Sequence, residues 1–95
     1  MAAPTAPVPA ADDVARHAGA AMPQTLARLA GYLRMPAISC DPKHHNDVLR
    51  LAERIRDDLA ALGPTSARVL ELDGALPCVA AEFAGPRPDA PCVLI

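Results

Sequence analysis

The spacing of apolar residues changes once along the chain, at Gly63-Pro64, and this change of period places helices before that point and strands after it. Ahead of it, Val14, Ala18, Met22, Leu26, Leu29 and Leu33 recur every three or four residues, which puts them on one face of an α-helix. Asp12 and Asp13 suit the first turn of that helix, where its dipole favours negative charge. Pro23 lies inside the run and removes one donor from the ladder, so the spacing predicts one kinked helix or two abutting ones. Met35-Pro36 ends it, because the residue before a proline is pushed out of the helical region. A second helical face runs through Val48, Leu51, Ala52, Ile55, Leu59 and Leu62, opposite Arg50, Glu53, Arg54, Asp57 and Asp58. Asp41 and Pro42 are fitted to cap and start it, and Gly63-Pro64 to stop it.

Beyond the boundary, residues 67–72 and 77–84 read as two strands of a hairpin turned at Asp73-Gly74. Residues 85–91 form a loop by their Gly and Pro content, after which Cys92-Val93-Leu94-Ile95 begins an uninterrupted apolar run. A strand that is apolar throughout is covered on both faces. The predicted class is therefore α/β, with two helices flanking a sheet made of the hairpin and the start of a core strand. The missing cover for Cys92 to Ile95 is expected from further polypeptide or from a partner chain. Residues 1–11, rich in Ala and Pro, are expected to be a disordered leader.

Composition narrows the partners. Hydrophobic residues make up 52% of the chain, yet Tyr32 and Phe83 are the only aromatics, so each apolar residue carries little area and the core should be thin. Nine basic and eleven acidic residues are interspersed, which leaves no electrostatic footprint for nucleic acid or for an anionic membrane. No stretch approaches the ~18 consecutive apolar residues of a membrane span. The leader lacks both the basic start and the apolar centre of a secretory signal. Cys40, Cys78 and Cys92 are odd in number and form no CxxC pair, which fits reduced thiols in a cytoplasmic protein. Cys78 and Cys92 sit in apolar runs and read as small buried hydrophobes.

Cys40, Asp41, His44, His45 and Asp47 are the one cluster of potential metal ligands. Adjacent histidines on a helix point about 100 degrees apart, whereas a structural zinc site needs four converging N or S donors. The cluster therefore reads as a polar helix start. His17 falls off the apolar line and is expected in solvent, and Ser39, outside any G-x-S-x-G pattern, is expected to hydrogen-bond in its loop. Leu33, Ile55, Leu59 and Val79 are core by pattern. No catalytic, metal-binding or substrate-binding residue is assigned.

Leu29-Ala30-Gly31-Tyr32-Leu33-Arg34-Met35-Pro36-Ala37-Ile38-Ser39, then Asp41-Pro42, a helix ending at Leu62-Gly63, the strand at 77–83 and the run at 90–95 resemble a known opening. It is similar to that of the dinuclear-zinc metallopeptidases: acetylornithine deacetylase, succinyl-diaminopimelate desuccinylase, aminoacylase, carboxypeptidase G and carnosinase-like dipeptidases, the last looking nearest. Met35 and Ala37 depart from the usual Ile and Ser of the first segment. The resemblance implies that residues 12–95 are the incomplete N-terminal part of a zinc-peptidase-like catalytic domain, and that the strand at Cys92 to Ile95 leads into a Gly-His-x-Asp segment carrying the first ligand. In the family, two zinc ions share a hydroxide and a Glu moves the proton. Those residues lie further on, so this chain is expected to bind no metal itself, to be inactive as it stands, and to supply scaffold for a dipeptidase or N-acyl amino acid amidohydrolase. A small non-catalytic interaction module, offering a helix pair and an exposed strand edge to another protein, is the alternative.

Overall fold

The computed structural model describes residues 10–95. The expected leader lies outside the described residues as far as position 9, and Ala10 and Ala11 already belong to the first helix as its N-cap and first residue. Two helices follow in line, α1 (Ala11–Ala20) and α2 (Met22–Leu33). Of the two arrangements that Pro23 allowed, abutting helices are the one present. Pro23 sits at the start of α2, where its missing N–H costs nothing, and the carbonyl of Gly19 takes the N–H of Ala21 instead. The Thr25 N–H still reaches Ala21 at 3.0 Å, so the two helices join through a single residue.

After the Met35-Pro36 break the chain makes a 3-10 turn, Pro42–His44, before α3 (His45–Ala60). Asp41 caps that turn as its residue type predicts, accepting the Lys43 N–H at 3.0 Å. Gly63, at φ 81, stops the helix by taking a left-handed conformation closed to most side chains. Strands β1 (Ser66–Leu70) and β2 (Cys78–Glu82) then pair antiparallel, with Val69 opposite Val79 in the middle of the register. Gly74, at φ 79, takes the turn between them, and the Ala75 N–H closes it on the Leu72 carbonyl at 3.0 Å.

Packing differs from the sequence reading in three respects. Only α3 flanks the hairpin, touching both strands, whereas α1 and α2 make no extended contact with the sheet. Leu33, expected in the core, is accordingly 74% exposed, while Ile55, Leu59 and Val79 are half-buried between α3 and the strands. Second, Cys92 to Ile95 form no strand; a strand needs a hydrogen-bonding neighbour, and the sheet described is β1 and β2 alone. Val93 and Leu94 are 79% and 96% exposed. Third, Cys78 and Cys92 are exposed, because Cys78 is the first residue of β2 and Cys92 follows the unpaired loop. Ala52 is the one buried hydrophobic side chain among the described residues. The body is elongated, 57 by 33 by 18 Å, with a radius of gyration of 17.1 Å. A compact domain of this length would have about 12 Å.

Candidate functional site

The ligand-type residues between Cys40 and Asp47 are drawn into local bonds, not toward a common point. The Asp41 carboxylate is occupied with the Lys43 backbone. Asp47, in the first turn of α3, lies 3.0 Å from His44 Nδ1 through one oxygen and accepts from Arg50 at 2.9 Å through the other. Cys40 and His45 face solvent. Among the described residues no three His, Cys, Asp or Glu side chains are grouped to hold a metal ion. A zinc site needs at least three protein donors with lone pairs aimed inward, and here the best carboxylate already serves a guanidinium and an imidazole. These residues do not fit a dinuclear zinc site.

In a second arrangement, the contact between Tyr32 and Asp58 went unseen in the sequence. The Tyr32 hydroxyl, in the last turn of α2, donates to Asp58 Oδ2 at 2.5 Å, and Arg54 Nε reaches the other oxygen of the same carboxylate at 3.4 Å. The Tyr32 hydrogen bond, more than the Arg54 charge, holds the Asp58 carboxyl below its ordinary range. Tyr32 is pushed the opposite way, first by loss of water around the ring and then by the Asp58 bond and charge, while Arg28 and Arg54 pull it back. A neutral phenol beside an ionised carboxylate is a hydrogen-bonded link between two helices. It is not an activated nucleophile, which would need its pKa lowered. A tyrosine ending an apolar helix does carry a hydroxyl in search of a partner, but nothing in the spacing names Asp58, twenty-six residues on.

Elsewhere the surface offers little chemistry. An open dent under the β1–β2 loop is lined by Glu71, Leu72, Asp73, Gly74, Ala75 and Pro77. His17 is exposed on α1 as its position predicted, and Ser39 lies exposed in the turn after Pro36. No helix is long and apolar enough to cross a membrane among the described residues. No family model, curated protein or solved structure matches the chain.

Proposed function

We propose that this chain is the opening α/β scaffold of a zinc-dependent dipeptidase or amidohydrolase of a reducing, cytoplasmic compartment, and that it positions the catalytic sheet without holding metal. One observation carries the reading. The described elements enclose Ala52 alone and leave Leu62, Leu70, Leu72, Phe83, Val93 and Leu94 between 42% and 96% exposed, far more apolar surface than they can cover themselves. Further sheet and helix would cover it, since α/β layers bury both faces of their strands. The order of elements supports the same reading: a helix ending before Met35-Pro36, a helix ending just before Leu62-Gly63, then an antiparallel pair.

In such a domain the role of these residues is mechanical. Helix α3 lies on β1 and β2, and those strands offer free edges on which a sheet can grow. Cys92 to Ile95 would enter that sheet as a strand once a neighbour supplies hydrogen bonds, and the rest of the catalytic domain is the partner proposed there. Zinc, when bound by that remainder, would activate water and polarise the amide carbonyl. No residue described here takes part in those steps.

The test is to read the coding sequence past the Ile95 codon in all frames and to purify the product of any extension. A Gly-His-x-Asp segment within a few residues, in a protein that binds zinc and cleaves dipeptides or N-acyl amino acids, is the expected result. Absence of that segment, together with a cooperative melt of the 95-residue chain alone, would overturn the reading in favour of a self-sufficient interaction module.

A further inference from the structure

We propose that α1 and α2 form a hinged arm that pivots about residues 34–41, and that the Tyr32–Asp58 hydrogen bond is the latch fixing its direction. This goes beyond the scaffold reading and does not depend on it. Three observations carry the inference. First, the arm lacks a packed seat. Every α2 residue from Met22 to Leu29 is exposed, and only its last turn, Ala30 to Tyr32, is half-buried. The stripe of Val14, Met22, Leu26, Leu29 and Leu33 stands 48% to 74% in solvent, so no apolar contact of size resists a swing of the arm.

Second, the pivot is built from weak local turns. Ala37 N–H bonds to the Met35 carbonyl and Ile38 N–H to the Pro36 carbonyl, each at 2.8 Å and each spanning two residues, with Asp41 N–H reaching back to Ile38 at 3.2 Å. Such turns hold few residues each and reform readily, while helices on either side stay whole. The segment ends at the cap made by Asp41, where regular structure resumes.

Third, among the described residues Tyr32–Asp58 is the one side-chain hydrogen bond joining the arm to α3 or to the hairpin. Its place matters as much as its existence. Tyr32 lies next to the pivot, so one bond there sets the heading of twenty-three residues, or roughly 35 Å of helix. Arg54, on the turn of α3 before Asp58, holds the carboxylate on its far oxygen and keeps it aimed at the phenol.

Distances between spin labels at Thr25 on α2 and Glu53 on α3 test the idea, with both sites changed to Cys in a background where Cys40, Cys78 and Cys92 are Ser. The unaltered latch should give one narrow distribution. Tyr32→Phe and Asp58→Ala should each broaden it severalfold, while amide exchange in α3, β1 and β2 stays at the parent level. A distribution that stays narrow in both variants would show the arm held by something else. One already broad with the latch intact would show that the bond holds nothing, and faster exchange throughout α3 would make the pair part of the fold's core, not a latch. Each of these three results overturns the proposal, and none needs metal or any downstream sequence.

Discussion

Thr65 closes the open end of the hairpin on a single acceptor, its backbone N–H and its hydroxyl both donating to the Glu82 carbonyl, at 2.8 and 2.9 Å. The contact sits one residue before β1 and at the last residue of β2, where a two-stranded sheet would otherwise fray. Thr65→Val keeps the shape and the backbone bond but deletes the hydroxyl. Because the site is exposed and water can replace the lost donor, the cost should fall near about 0.5 kcal/mol, the lower end for a hydrogen bond. Urea melts of the two proteins measure it; a loss above about 1.5 kcal/mol would mean that the hydroxyl does more than cap the sheet.

The Tyr32–Asp58 pair has a defined pH window. Asp58 titrates lower when bonded, so its contribution is complete above the ordinary carboxylate value of about 4 and fades as pH falls through the lowered value. Tyr32 titrates higher, so its contribution is complete below the ordinary phenol value of about 10 and fades as pH rises through the raised value. The bond is therefore whole from mildly acidic to mildly alkaline pH. Tyr32 is the only tyrosine and the chain has no tryptophan, so near-ultraviolet absorbance reports its ionisation alone. Desolvation is the largest single cause of the rise and the Asp58 bond and charge come next, so Asp58→Asn should move the midpoint down. A midpoint unchanged by the substitution would deny the contact.

Local rules were legible in the sequence, and long-range ones were not. Asp41, Pro42, Gly63 and Gly74 act through their own backbone conformation or that of a residue two positions away, so residue type alone placed them. The period of α3 also located the face that meets the hairpin. The stripe from Val14 to Leu33 has the same kind of periodicity, but it lies in solvent, because a pattern names the face to be covered without naming the cover. The run at Cys92 to Ile95 forms no strand for a related reason: apolar content favours a strand, but a strand also needs a neighbour at hydrogen-bonding distance. Among the candidate ligands, spacing gave no hint that Asp47 would engage both His44 and Arg50.

Two glycines offer the same chemical change with opposite expected signs. Gly63 sits at φ 81 just beyond α3, and an added Cβ would meet nothing within 4 Å, so any penalty for Gly63→Ala comes from the backbone alone. An L-residue in that left-handed region costs about 1–2 kcal/mol, and Gly63→Asn should cost less, since Asn tolerates the region. Gly19 lies inside α1, also with open space around an added Cβ but at an ordinary helical φ. There Gly19→Ala should stabilise the helix by about 0.5–1 kcal/mol, through lower backbone entropy in the unfolded chain. Urea melts report the first change. Amide exchange within α1 reports the second, because the arm can open without unfolding α3 and the hairpin. If Gly63→Ala proved neutral, α3 would have to end in some other conformation than the one that turns the chain toward β1.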